Sequence, residues 1–298
     1  MRWKNSRRSS NLEDKRSQSF SSAGSNRGSM MALLPIAKML IKTKIGRVIL
    51  GIGVLAYFMG FNPLALLDVT SPKQHTAANK TLATTQQKTN NEHAQFISVV
   101  LAQTEDVWND LFIQHGSKYI EPKLVLFRDK VNSGCGYASS QTGPFYCPAD
   151  QKVYLDLSFF DALAKRHDAP GDFAQAYVVA HEVGHHVQMI TGVLTKVRQQ
   201  KQHVSKKEQN ALQVKVELQA DCYAGIWAHY LQKKGDIIEE GDINEALNAA
   251  SAIGDDTLQK QAQGYVVPDS FTHGSSYDRR SWFEKGLRYG TVKACNTF

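Results

Sequence analysis

The chain has 298 residues, with 35 Lys plus Arg against 28 Asp plus Glu, a net charge of +7 and 42% hydrophobic residues. That length suits one sizeable domain or two small ones and excludes a disulfide mini-scaffold, while the apolar content excludes a wholly disordered chain. A pI near 9.1 would suggest a nucleic-acid partner if the charge covered a folded surface. Instead it is concentrated at one end. Residues 1–47 hold 11 basic and 2 acidic side chains, a net of +9, and the other 251 residues hold 24 basic and 26 acidic, a net of −2.

Taken in chain order, residues 1–47 read as a disordered basic tail, of which residues 1–29 are Ser-rich and poor in large apolar groups. Residues 48–67 carry no charge and one strongly polar side chain, Asn62, and at 1.5 Å per residue span about 30 Å as a helix. They read as a single transmembrane helix. The basic flank then places the N-terminus in the cytoplasm, with the C-terminal domain on the periplasmic or extracellular side of a bacterial inner membrane. Residues 68–90, polar and Thr-rich, read as a flexible linker, and residues 91–298 as the folded domain.

Within that domain a helix runs from Asn91 to Gln114, followed by two short extended runs at Lys123 to Phe127 and Lys152 to Leu157. Asp172 with Gln175 opens a helix that Gly192 ends. Ser205 with Glu208 opens a long one closed by Gly235, Asp242 with Glu245 another, and a last helix covers Ser276 to Tyr289. Long helices with a few strands grouped early indicate an α+β architecture, mostly helical with a small sheet. Four Cys in an oxidising compartment suggest disulfides. The loop between Cys135 and Cys147 favours that pair, leaving Cys222 with Cys295, although four Cys allow three connectivities.

The helix after Asp172 contains His181-Glu182-Val183-Gly184-His185. Residues i and i+4 project from one helical face, so His181 and His185 can grip one ion, with Glu182 left to act on the water that zinc activates. A catalytic zinc needs a third protein ligand. The next long helix carries Glu217 and, four residues on, Asp221, among apolar neighbours that leave little room for a solvated face. HExxH on one helix and ExxxD on a later one resembles the arrangement of thermolysin-like zinc peptidases. That resemblance implies Glu217 as the third ligand and Asp221 as the residue that orients His181. The segments HEVGHHVQ, VELQADCYAGIWA, FYCPADQKVYLDLSFF and VPDSFTHGSS together resemble the neutral zinc metallopeptidase family over essentially the whole chain. The resemblance implies a zincin-like domain behind one membrane span.

The expected function is therefore a zinc-dependent endopeptidase with one catalytic Zn2+ ion. Its metal ligands are His181, His185 and Glu217, its general base is Glu182, and it acts on peptide or protein substrates in the cell envelope. The alternative is a catalytically silent zinc-binding scaffold, and no nucleic-acid partner is expected. Lys152 to Leu157 is a candidate edge strand for an extended substrate. His273, in a Gly/Ser-rich loop, is the leading candidate to stabilise the oxyanion, ahead of Tyr277, Arg279 and Arg280. Asp255 and Asp256 form a lone acidic pair that would suit calcium or a solvated turn.

Overall fold

The computed structural model describes residues 1–17, 77–166 and 169–298. The chain divides into two units, one of residues 1–18 with 87–298 and one of residues 19–86. Of the second unit only residues 77–86 are described, as the start of a helix.

The first unit is a mostly helical α+β body. Its strands are β1 (Leu12–Asp14), β2 (Lys123–Phe127), β3 (Lys130–Ser133), β4 (Gly136–Ser139), β5 (Phe145–Cys147) and β6 (Lys152–Asp156). The helices are α1 (Ala77–Gln114), α2 (Ser158–Arg166), α3 (Asp172–Ile190), α4 (Val193–Lys201), α5 (Lys206–Lys234), α6 (Asp242–Ala252), α7 (Asp255–Gln263) and α8 (Ser276–Tyr289). A four-stranded sheet in the order β1-β2-β6-β5 is parallel except for β5, and β3 and β4 form a separate hairpin. Strand periodicity divides the side chains between two faces. Leu124, Leu126, Val153 and Leu155 join the main core with α1, α3 and α5, whereas Val125, Phe127 and Tyr154 pack under the hairpin.

Helix α3 is buried on most sides, which is why its apolar residues recur beyond one stripe. Asp172 is its first residue rather than its cap. Gly171 holds the cap position, and the Phe173 amide, which has no acceptor within its own helix, donates to Glu245 Oε2 of α6 at 3.0 Å. Helix α5 begins with the expected capping box of Ser205 and Glu208 and stops at Gly235. It crosses α8 at Gly225 and Gly286, where a Cβ on either would lie about 2 Å from a carbonyl oxygen of the other helix (2.1 Å from Phe283 O, 1.9 Å from Cys222 O). The disulfides are Cys135–Cys147 and Cys222–Cys295.

Three expectations change. First, residues 1–17 are not a free tail. Met1 is buried, its amino group lies 3.0–3.2 Å from Asp172, Glu239 and Asp242, and β1 pairs with β2. Arg2, Lys4 and Arg7 pair with Glu239, Glu92, and Glu105 with Asp106. Second, the start of α1 at Ala77 puts helix where residues 68–90 read as linker. Third, the single-pass inner-membrane placement is not supported. Among the described residues no helix is long and apolar enough to cross a membrane, and residues 48–67 lie outside them. A topology with the N-terminal segment on one face of a membrane and the domain on the other is overturned, because residues 1–17 fold into the domain itself.

Burial opposes the charge on the Met1 amine, but hydrogen bonds and charge from Glu239, Asp172 and Asp242 outweigh it and raise its pKa from 8.0 to about 10. A raised amine pKa contributes stability in full below pH 8 and loses it as pH rises through 10. Asp242→Asn is therefore expected to lower Tm at pH 7.5, with the gap to the unmodified chain narrowing by pH 10.5. Thermal melts of both proteins across that range check this, and a constant gap would count against the amine as the partner.

Candidate metal centre

The site is built where α3 meets α5. Gly184, inside the His-Glu-x-x-His run, faces the backbone of Ala220, and a Cβ there would come within 3.1 Å of Ala220 O. This close approach sets Glu217 and Asp221 of α5 against the histidines of α3. Ligand atoms of His181, His185 and Glu217 lie within 4.8 Å of one another, a grouping that could hold a metal ion. Glu217 Oε2 is 3.2 Å from His181 Nε2 and 3.4 Å from His185 Nε2.

Each member is held by a further partner. His181 Nδ1 donates to Asp221 Oδ1 at 2.7 Å, which leaves Nε2 directed at the cluster. His185 Nδ1 is fixed by Gln188 Oε1 at 2.9 Å, and Gln188 donates to Val216 O and Gln219 Oε1 of α5. Gln213 Nε2 donates to Glu217 Oε1 at 2.7 Å. Asp221, fully buried, also accepts from Tyr177 Oη at 2.6 Å and from Arg279 of α8, through Nε at 2.8 Å and Nη2 at 2.9 Å. Helical spacing could have found Tyr177, Gln188 and Gln213, which lie four residues before His181, three after His185 and four before Glu217. Arg279 had no such signal as an Asp221 partner, being 58 residues away from it.

Electrostatics fit a cation here. Burial favours neutral imidazoles, yet Asp221 and Glu217 outweigh it and raise the His181 pKa to about 10, and Glu217 raises that of His185. Burial likewise disfavours the carboxylates, but His185 and His181 hold Glu217 well below the usual range, and Arg279 with His181 brings Asp221 down to about 2. Two imidazole nitrogens and a carboxylate oxygen thus converge around a centre that gathers positive charge. That donor set suits zinc.

The centre opens into a cleft of about 1040 Å3. Glu182 lines it with no hydrogen-bond partner for its carboxylate among the described residues. His273 lines it as well, in a loop whose amides at Thr272, His273 and Gly274 all donate to Asp255 Oδ2, while Asp255 Oδ1 is 3.2 Å from His273 Nδ1. Asp256 accepts from Ser276, so both members of the acidic pair anchor loops. Tyr277 is 77% exposed, and Arg280 pairs with Glu284 on the surface of α8. Arg279 is spent on Asp221 and is a positioning residue. His186 is buried, donating to Ile120 O at 2.6 Å and accepting from Tyr146 at 3.1 Å, a packing role. The run Lys152 to Leu157 is not an edge: β6 lies between β2 and β5. The strand at the end of the sheet beside the cleft is β5, with Phe145 and Tyr146 in the lining.

Removing Arg279 would leave Asp221 buried and uncompensated, a change that costs about 3–5 kcal/mol for a buried pair. Arg279→Met is expected to lower thermal stability and to weaken metal binding through misorientation of His181. Calorimetry and metal titration check both, and retained affinity would show that Asp221 needs no counter-charge.

A family model described as "Putative neutral zinc metallopeptidase" matches residues 1–298. The Escherichia coli K12 protein titled "Uncharacterized protein YpfJ" is 46% identical over 298 residues, covering 100% of this chain and 99% of the relative. "Uncharacterized protein Mb2605" of Mycobacterium bovis and "Uncharacterized protein Rv2575" of Mycobacterium tuberculosis are each 43% identical over 190 residues, 60% of this chain and 63% of each relative. No solved structure matches the chain. With a cluster able to hold a metal and a family match over its full length, the chain belongs to the neutral zinc metallopeptidase family.

Proposed function

We propose that this protein is a zinc-dependent endopeptidase. The observation that carries the reading is the convergence of His181, His185 and Glu217 on one point, with the unpaired carboxylate of Glu182 in the adjoining cleft. What a zinc ion supplies in a three-ligand site is Lewis acidity, toward a carbonyl oxygen and toward water. His181, His185 and Glu217 would hold it, and Asp221 keeps the His181 tautomer that presents Nε2. Glu182 takes the proton of the attacking water and returns it to the leaving amine, which the absence of a competing partner leaves it free to do. His273, steadied by Asp255, donates to the oxyanion that develops on the scissile carbonyl. The unpaired side of β5 offers backbone groups to an extended peptide without reading its sequence, in place of the β6 strand that the sequence pattern suggested.

The decisive experiment uses the full chain, because residues 1–17 are part of the folded unit. Purified protein is expected to hold one zinc ion and to cleave an unfolded protein. Glu182→Gln should keep the zinc and lose about 10²–10⁴ in rate, the range for a general base. If both retain zinc and neither cleaves anything, the peptidase reading is lost and a binding-only scaffold takes its place. His273→Ala should lower kcat by about 10²-fold with zinc content unchanged, as loss of one oxyanion donor does. A fall in bound zinc would instead make His273 a ligand or a fold residue.

A further inference from the structure

Helix α4 turns one face toward the cleft. Leu194, Val197, Arg198 and Lys201 all line it, and they occupy positions i, i+3, i+4 and i+7, the spacing of a single helical face. Gly192, at φ 82°, turns the chain directly from α3 into α4, which keeps that face close to the metal centre. On that face Leu194 and Val197 are apolar, and Arg198 and Lys201, in the last turn, are cationic.

The charges around the cleft do not balance. Of its lining residues the acids are Glu182 and Glu217, and both belong to the centre. Arg279 is neutralised by Asp221. Among the described residues neither Arg198 nor Lys201 forms a salt bridge, and Lys201 feels the Glu217 carboxylate only through space. Lys201 is half-buried and donates to Gln213 Oε1, and Gln213 in turn donates to Glu217 Oε1 at 2.7 Å. Its ammonium is therefore one side chain away from the candidate metal ligand. Arg198 is exposed, whereas Lys201 is half-buried, so a solvated basic surface does not account for Lys201. Lys207, on the outer surface, finds Asp269 at 2.9 Å, whereas Arg198 and Lys201 share a face with buried Val197. The half-buried Lys201 ammonium, hydrogen-bonded to the neutral Gln213, has lost hydration that an incoming anion restores, and a charge-assisted hydrogen bond adds to the gain, with Arg198 as a second, exposed cation on the same face.

We propose that Arg198 and Lys201 form a carboxylate-binding subsite, so that the preferred substrates are peptides carrying a carboxylate close to the scissile bond. The proposal rests on the peptidase reading and names its substrate class. The carboxylate has two possible sources, a free C-terminus or an Asp or Glu side chain.

The test measures peptide binding to the full-length, zinc-loaded protein in a Glu182→Gln background, by fluorescence anisotropy. Matched peptides have a neutral sequence with an amidated C-terminus, the same sequence with a free C-terminus, and the amidated sequence with Glu placed at successive positions. The expected result is tenfold or tighter binding of a carboxylate-bearing peptide over the neutral amide. Preference for the free C-terminus or for internal Glu identifies the source. Arg198→Met, which leaves the Gln213 contact untouched, should reduce that ratio severalfold. Arg198→Met with Lys201→Met should bring it close to one, at unchanged zinc content, and Lys201→Arg should restore part of it. Equal binding of all the peptides, or a preference that survives the double substitution, overturns the subsite. Cleavage without any acidic preference overturns the subsite alone, whereas a protein that neither binds nor cleaves peptides removes the peptidase reading with it.

Discussion

The buried carboxylate of Asp221 is the point on which the site depends. It accepts hydrogen bonds from His181, Tyr177 and Arg279, and so ties α3, α5 and α8 together at one pair of oxygens. An isolated carboxylate at that depth would be expensive to keep charged, and the guanidinium of Arg279 makes the ionised form the stable one. Once ionised, it dictates which nitrogen of His181 carries the proton and where the ring points. The glycines at the helix crossings serve the same end. Gly184 brings α5 within reach of the histidines, and Gly225 with Gly286 brings α8 close enough for Arg279 to reach through.

A second constraint acts at the far end of α3. Asp172, Asp242 and Glu245 form an acidic cluster whose ligand atoms also lie within 4.8 Å of one another. There the charge is answered from within the chain. The Met1 amine sits between Asp172, Glu239 and Asp242, and Glu245 accepts the Phe173 amide. The amine thereby bridges the starts of α3 and α6. One helix is thus anchored at its N-terminus by Met1 and carries two of the candidate metal ligands on its later turns.

The charge asymmetry of the sequence takes a new meaning from this arrangement. An excess of basic residues before residue 48 and a slight acidic excess after it suggested two parts on opposite faces of a membrane. For residues 1–17 the opposite signs are complementary surfaces. Arg7 meets Glu105 and Asp106, Glu13 meets Lys123 and Lys152, and Asn11 meets Glu105 and Glu121. Composition registers that charge is segregated but not whether the two pools touch, because contact depends on a parallel pairing between β1 and a strand more than a hundred residues later.

Local patterns carried much of what the sequence determined by itself. The i, i+4 spacing of His181 and His185 and of Glu217 and Asp221 follows from helix geometry alone, and the Ser205 capping box and the Gly235 stop are signals within a few residues of the boundaries they set. The two cysteine pairings favoured from the short loop are also the ones found. What only the tertiary structure decided involves groups far apart in sequence. A five-residue apolar run reads the same at an edge or in the middle of a sheet, so the position of β6 between β2 and β5 was not legible. A three-residue strand with one apolar side chain, β1, leaves no periodicity to read. Arg279 reads in the sequence as a candidate oxyanion donor, whereas in the fold its guanidinium is bound to Asp221. Spacing along one helix fixes which side chains share a face, while the partner of a buried charge is fixed by the packing of several helices at once.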